Sequence, residues 1–255
     1  MLLVIDVGNT NIVLGVFDGE KLVGDWRIHT DSAMTEDEFA VFALNMFSRI
    51  QLDPNCLEKT IISSVVPPMT RLLDAFCRKY IGREPHWVNA KSVAHRMPVL
   101  YANPAAVGAD RIVNALAAYA KYKTSLIVID FGTATTFDAV TEKGEYLGGA
   151  ISPGINISAE ALYVRASKLP RVELFTPPET AIGRDTLGSI QSGIIFGYAG
   201  LVDGMVQRIK KEMAANPRVI ATGGLSSLMY KVSETIEYLE PDLTLEGLRL
   251  IAEGL

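Results

Sequence analysis

Leu2-Leu3-Val4-Ile5-Asp6-Val7-Gly8-Asn9-Thr10-Asn11 decides how the chain is read, because Leu126-Ile127-Val128-Ile129-Asp130-Phe131-Gly132-Thr133-Ala134-Thr135 repeats it 124 residues later. Leu, Val, Ile, Asp and Gly recur at matching places. Each copy is an apolar run of strand length that ends in a carboxylate and a glycine turn, the pattern of a buried strand entering a hairpin. The likeness resumes one residue out of step, with Gly19-Glu20-Lys21-Leu22-Val23-Gly24 against Gly144-Glu145-Tyr146-Leu147-Gly148-Gly149. Each copy therefore reads as a three-stranded meander.

Helical patterns follow each meander. Thr35-Glu36-Asp37-Glu38 has the form of a capping box, and Phe39, Phe42, Ala43, Met46, Phe47 and Ile50 follow at helical spacing. A strand at 60–66 stops at Pro67-Pro68, a helix passes through Leu72, Leu73, Phe76 and Tyr80, and a short strand holds His86-Trp87-Val88. Asn103-Pro104 reads as the cap and first residue of a helix reaching Lys123. In the second half, helices are expected near 156–167 and 189–214, and a strand at Arg218-Val219-Ile220-Ala221 ends in Thr222-Gly223-Gly224. Two βββαβα-type units result, an α/β chain with domains at 1–115 and 116–255 and no Pro/Gly/Ser-rich linker between them. Two such halves are expected to face each other across a cleft.

The 255 residues are 49% hydrophobic and 21% charged, which suits a folded chain and not a disordered one. A net charge of −5 supplies no general basic footprint for nucleic acid, so any phosphate site must be local. His29, His86 and His95 have no Cys or His at ligand spacing, which argues against a zinc site or a Ser-His hydrolase. Cys56 and Cys77 sit in helix-like apolar stretches and read as reduced, buried thiols. The opening apolar run meets Asp6 after five residues, without a basic leader, and no run approaches the ~18 apolar residues of a membrane span. A cytoplasmic protein is the expectation.

Asp6 with Gly8, Asn9, Thr10 and Asn11 sets a carboxylate beside a turn rich in amides and hydroxyls. Glycine lets the backbone approach an oxyanion, and successive N–H groups in such a turn cradle phosphate. Carboxylate and phosphate repel, so the pairing makes sense with a divalent cation between them, normally Mg²⁺ retaining several waters. Read alone, one Asp-x-Gly turn is a tight hairpin with an exposed Asp. Two copies at the same place in two repeats, with a late Gly-Gly, make a nucleotide site the stronger reading.

That combination resembles the acetate/sugar kinase, Hsp70 and actin superfamily, which implies two ribonuclease-H-like domains with ATP in the cleft. Asp6-Val7-Gly8-Asn9-Thr10-Asn11, Ser63-Ser64-Val65-Val66-Pro67, Gly108-Ala109-Asp110-Arg111, Asp130-Phe131-Gly132-Thr133-Ala134-Thr135-Thr136, Gly148-Gly149-Ala150-Ile151-Ser152-Pro153-Gly154 and Ala221-Thr222-Gly223-Gly224 resemble type III pantothenate kinases more narrowly. The resemblance implies ATP-dependent phosphorylation of pantothenate to 4′-phosphopantothenate, the first step of coenzyme A synthesis, by a homodimer whose substrate site lies near the subunit interface. Asp110 is then the general base. Gly108, Ala109, Asp110 and Arg111 bind substrate with Tyr101 and Thr186; Arg111 offers a planar fork that suits the pantothenate carboxylate. Asp6 binds Mg²⁺ through water and, with Val7 through Asn11, lines the ATP phosphates together with Thr133. Asp130 holds K⁺ or NH₄⁺, and Gly223 and Gly224 leave room for the nucleoside.

On residue pattern alone, Asp110 and Arg111 could be a surface pair, Tyr101 a packed aromatic and Thr186 a helix N-cap. Arg165 and Lys168 read as a solvated face or a second anion patch. Some relatives carry a lysine where this chain has Val13; no phosphate-binding lysine is assigned here, and which cation takes its place stays open. A ribonuclease-H-like nuclease would need a basic groove that the composition lacks, and a non-catalytic ATP-binding regulator would have no use for Asp110 and Arg111.

Overall fold

β1 (Leu2–Val7), β2 (Asn11–Asp18) and β3 (Lys21–His29) form the first meander in the computed structural model, which describes residues 1–174 and 176–254. After α1 (Glu36–Arg49), β4 (Lys59–Ser64) pairs parallel to β1; α2 (Met69–Phe76) leads to β5 (His86–Trp87), giving a sheet of order β3-β2-β1-β4-β5. A short helix α3 (Ala90–Val93) and the helix α4 (Ala109–Tyr122) follow. The second meander is β6 (Leu126–Phe131), β7 (Ala134–Val140) and β8 (Tyr146–Pro153). Helices α5 (Ile155–Arg165) and α6 (Thr186–Glu212), strand β9 (Arg218–Thr222), helix α7 (Ser226–Met229), strand β10 (Tyr238–Leu239) and helix α8 (Leu243–Glu253) complete the chain. Its sheet order, β10-β9-β6-β7-β8, repeats the first strand for strand.

The repeat is shifted in one place. Gly8 N donates to Asn11 O at 2.9 Å, but Gly132 N donates to Ala134 O at 3.1 Å, so the second hairpin turn is one residue shorter. Val7 lies opposite Ile12 and Phe131 opposite Thr135. Thr135 thus occupies the structural place of Ile12, not of Asn11, and both are fully buried. An ungapped comparison of the two runs cannot see this, because apolar patterning fixes the strand and leaves the turn length free.

Unit 1 comprises Met1–Pro98, Ala102–Ala117 and the segment from Thr244. Its core lies on the face of the sheet that carries Leu3, Ile5, Val7, Ile12, Leu14 and Val16, against Phe39, Ala43 and Phe47 of α1 and Leu73 and Phe76 of α2. Phe39 and Phe76 meet edge to face with centroids 4.8 Å apart. The capping box forms as its sequence predicts: Glu38 N donates to Thr35 Oγ1 and Thr35 N to Glu38 Oε2 at 2.8 Å. Such a cap contributes about 1 kcal/mol. The parting of the chain falls between Ala117 and Ala118 inside α4, and it departs from a cut at 115/116 because α8 belongs to unit 1. The cause is close packing: a Cβ on Gly247 would lie 2.6 Å from Val113 Cγ1, and one on Gly15 of β2 only 3.3 Å from Leu245.

Unit 2 comprises Val99–Tyr101 and Ala118–Leu243. Ile127, Ile129, Phe131 and Phe137 pack against Ile195, Val202 and Val206 of the long helix α6. A buried Asp138 accepts from Tyr146 Oη at 2.7 Å and from Thr136 Oγ1 at 2.9 Å.

Two local expectations change. The helix expected from Pro104 to Lys123 is broken: Pro104–Ala106 is a single 3₁₀ turn, Asn103 makes no side-chain cap, and the α-helix starts only at Ala109. Val107 is extended (φ −77°, ψ 129°), which ends the short turn before Gly108. Cys56 is exposed in a 3₁₀ turn opened by Pro54, while Cys77 is buried. Burial pushes the Cys77 thiol up to about 12. Among the described residues no helix is long and apolar enough to cross a membrane.

Candidate active site

In unit 1 the site is built where β1 ends. Parallel pairing sets Ser63 beside Asp6, and Ser63 Oγ donates to Asp6 Oδ1 at 2.5 Å. Ser63 is completely buried, so this hydroxyl fixes the carboxylate from below. The following turn is braced from β3's end: Thr30 Oγ1 donates to Gly8 O at 2.7 Å and Thr30 N to Thr10 O at 2.9 Å. Asn9 and Thr10 stay exposed at its tip.

Asp110 stands in the first turn of α4 and Arg111 follows it, buried. The helix opens with Gly108 for a steric reason: a Cβ there would lie 2.5 Å from Asp110 Oδ1 and 3.5 Å from Val65 Cγ1. Asp110 Oδ1 accepts from Arg111 N at 2.8 Å. Burial raises the Asp110 pKa, opposed by the Arg111 amide and the Arg111 guanidinium. Asp6 is pushed up to about 7, first by burial and further by the charge of Asp110, against the pull of the Ser63 hydroxyl and of Arg27. Asp6 and Asp110 therefore feel each other, and two carboxylates in one partly desolvated place favour a bound cation or a shared proton.

In unit 2 the equivalent strand end carries Asp130. Gly223 follows β9 with φ +90°, and a Cβ on it would lie 2.3 Å from Asp130 Oδ1 and 2.7 Å from Phe131 N. Gly154 approaches the shorter turn in the same way, its N donating to Thr133 O at 3.1 Å, and a Cβ there would lie 2.3 Å from that oxygen. The glycines of the late Gly-Gly and of the strand-end Pro153-Gly154 thus hold Asp130 and Thr133 by close approach. Gly223→Ala is expected to cost about 1–3 kcal/mol, from left-handed backbone and from displacing Asp130. Thermal melting reads it as a fall of several degrees; an unchanged melting temperature would mean that the close approach of Gly223 to Asp130 and the Phe131 backbone is not needed.

The remaining positions separate. Tyr101 is 38% exposed and its ring lies on Gly148, where a Cβ would be 3.3 Å away. Leu100 N donates to Tyr146 O at 2.8 Å, which anchors the segment that carries it. Thr186 is not a helix cap: Asp185 caps α6, accepting from Gly188 N at 2.7 Å, and Thr186 is the first helical residue. Asp wins the place because its carboxylate reaches the third amide from an extended backbone. Thr186 lines a cavity of about 790 Å³ with Leu162, Arg184, Asp185, Ile190 and Ile194, whose lining includes none of Tyr101, Asp130, Thr133 or Gly223. Arg165 and Lys168 are exposed at the end of α5.

Ser63 is the partner that residue pattern did not single out, although Ser63-Ser64-Val65-Val66-Pro67 stood out as a motif. Its role follows from β1–β4 register, a pairing across 57 residues. Among the described residues no three His, Cys, Asp or Glu side chains cluster as a metal site. Oxygen donors from Asp6 and a neighbouring hydroxyl suit a hard cation that keeps most of its waters and takes phosphate oxygens as ligands. The Asp130 carboxylate, with Gly223 packed closely against it, offers an oxygen donor of the kind a monovalent cation takes.

Two sheets of one topology, each closing its first strand with a carboxylate and a glycine turn, define an α/β protein of the ribonuclease-H-like class. On the fold, the inorganic polyphosphate/ATP-glucomannokinase from Arthrobacter sp. strain KM agrees, with a TM-score of 0.52 at 15% identity over 100% of this chain and 99% of that one. The family model for type III pantothenate kinase matches residues 2–208. The type III pantothenate kinase of Desulfatibacillum aliphaticivorans is 64% identical over 251 residues, covering 98% of this chain and 97% of the relative. That of Geobacter sulfurreducens is 56% identical over 253 residues, covering 99% and 98%. The chain belongs to the type III pantothenate kinase family.

Proposed function

We propose that the chain transfers the γ-phosphoryl group of ATP to the primary hydroxyl of pantothenate, giving 4′-phosphopantothenate and ADP, with Asp110 as general base. The observation that carries this reading is membership of the type III pantothenate kinase family, supported in unit 1 by Asp110 at the start of α4 standing near enough to Asp6 at the end of β1 for their charges to interact. A carboxyl of raised pKa is a better proton acceptor than an ordinary surface carboxylate. As the hydroxyl oxygen bonds to the γ-phosphorus and the bond to the β-phosphate oxygen breaks, Asp110 takes the hydroxyl proton. Little covalent help is needed in such a loose transition state, so positioning and charge neutralisation dominate.

Asp6, held by Ser63, is the residue for Mg²⁺, through water. When bound, that ion neutralises charge on the phosphate oxygens. The amides and hydroxyls of Gly8–Asn11 and of Thr133 bind phosphate, and Asp130 holds K⁺ or NH₄⁺, whose charge offsets phosphate repulsion. Gly223 and Gly224 leave space for the nucleoside. Arg111 pairs with the pantothenate carboxylate, with Tyr101, Gly108, Ala109 and Thr186 completing the substrate contacts. A homodimer with the substrate site near its subunit interface, and a cytoplasmic location for coenzyme A synthesis, complete the proposal. ADP release in Mg-ATP with pantothenate, measured with and without K⁺, tests it: turnover that rises with K⁺ is expected. No turnover in Mg-ATP plus K⁺ would overturn it.

A further inference from the structure

The Val7–Val13 segment that lines the proposed phosphate site contains no Lys or Arg, and Asp6 and Asp110 add negative charge beside it. Beyond the bound cations, any cationic side chain that contacts a phosphate chain placed there comes from elsewhere in the fold. The register of the first sheet supplies one. Ser63 on β4 pairs with Asp6 on β1, Asp6 pairs with Val13 on β2, and Val13 pairs with Arg27 on β3. Residues directly opposite in adjacent strands project to the same face. The four side chains therefore form one row across the sheet, on the face opposite the core that holds Val7 and Ile12.

Strands lie about 4.8 Å apart, so two strands separate the Arg27 and Asp6 backbones by roughly 10 Å, a span an arginine bridges with its stem laid on an apolar neighbour. Val13 is that neighbour. Arg27 is exposed, and no ion pair holds it among the described residues. Its positive charge is felt at Asp6.

We propose that Arg27 is a phosphate-binding residue of the nucleotide site, its guanidinium reaching over Val13 to the phosphate oxygens held at the Gly8–Asn11 turn. Guanidinium presents paired N–H donors that match phosphate oxygens, and a charged hydrogen bond of this kind is the strong sort. The inference rests on the ATP site described under the proposed function.

Calorimetric titration of the full chain with Mg-ADP, and separately with adenosine, tests it without turnover. Arg27→Gln is expected to weaken ADP binding about tenfold and leave adenosine binding within about twofold. Arg27→Lys should lose less than Arg27→Gln, because it keeps the charge. In steady state the KM for ATP should rise about tenfold while the KM for pantothenate stays within about twofold. Because Arg27 is exposed, melting temperatures should match wild type. ADP affinity within twofold of wild type in Arg27→Gln, or an equal loss for ADP and adenosine, would overturn the assignment. Wild-type chain that binds ADP but never phosphorylates pantothenate would overturn the proposed function instead, and the ADP titration would still decide Arg27.

Discussion

Asp110→Asn is expected to lower kcat about a hundredfold or more while leaving ADP affinity within about twofold. Asparagine keeps the size of the side chain and the acceptor for Arg111 N, so the first turn of α4 and the glycine entry at Gly108 persist. What it loses is the ability to take a proton from the attacking hydroxyl. Removing a carboxylate that raises the Asp6 pKa also relieves repulsion at the end of β1, so nucleotide binding should not fall. The KM against kcat split is the diagnostic: a base lost from the chemical step lowers kcat, whereas a damaged binding site raises KM. A variant with wild-type kcat would take Asp110 out of the reaction. A second readout is pH dependence. Burial raises the Asp110 pKa, so its acidic limb of kcat/KM should lie above the ordinary carboxylate range in wild type, and in the residual activity of the variant only the limb set by Asp6 should remain.

The parts of this protein legible in its sequence are those that repeat or that follow local rules. The duplicated apolar run predicts both sheets because a strand buried on two faces must be apolar along its whole length, and β1 and β6 are nearly so. The capping box at Thr35 forms because its four residues contain all the donors and acceptors it uses. The parts that stayed hidden depend on partners far along the chain. Ser63 meets Asp6 only through parallel pairing, and Arg27 reaches the same row only through two antiparallel registers. The allegiance of α8 to unit 1 is decided by Gly247 and Gly15, whose missing side chains let helix and sheet approach; nothing in the local pattern says what approaches them. Turn length escaped for a different reason: Gly8-Asn9-Thr10-Asn11 and Gly132-Thr133-Ala134 close equally well, so composition does not distinguish four residues from three. Tyr101, Asp130 and Thr186 are proposed through family likeness alone, and neither the Gly148 and Gly223 contacts of the first two nor the Asp185 cap preceding Thr186 is visible in local pattern.

Asp6→Asn should make the cation-free protein more stable above neutral pH while removing its activity. The wild-type carboxyl is pushed from its ordinary 3.8 to about 7, mainly by burial. Its folded-state pKa therefore lies above its unfolded value. Below about pH 3 both states hold the proton and the site costs nothing extra. As pH climbs toward 7 the unfolded chain ionises first, so the folded state loses relative stability, by up to about 1.4 kcal/mol per pH unit and on the order of 4 kcal/mol once both forms are ionised. Asparagine has no proton to lose, and it can keep accepting from Ser63 Oγ. Without divalent cations, the difference in melting temperature between variant and wild type should therefore be smallest near pH 3 and grow by several degrees by pH 8. Mg-ADP should narrow that gap at pH 8, because a bound cation compensates the Asp6 charge in wild type and finds no carboxylate in the variant. Turnover should fall by about a hundredfold or more as the phosphates lose their counter-ion. A difference in melting temperature that does not change between about pH 3 and pH 8 would show that Asp6 is not desolvated as its surroundings imply. The opposed signs of the two effects are what separate a carboxylate kept for function from one kept for the fold, since a structural Asp6 would make both stability and turnover fall together.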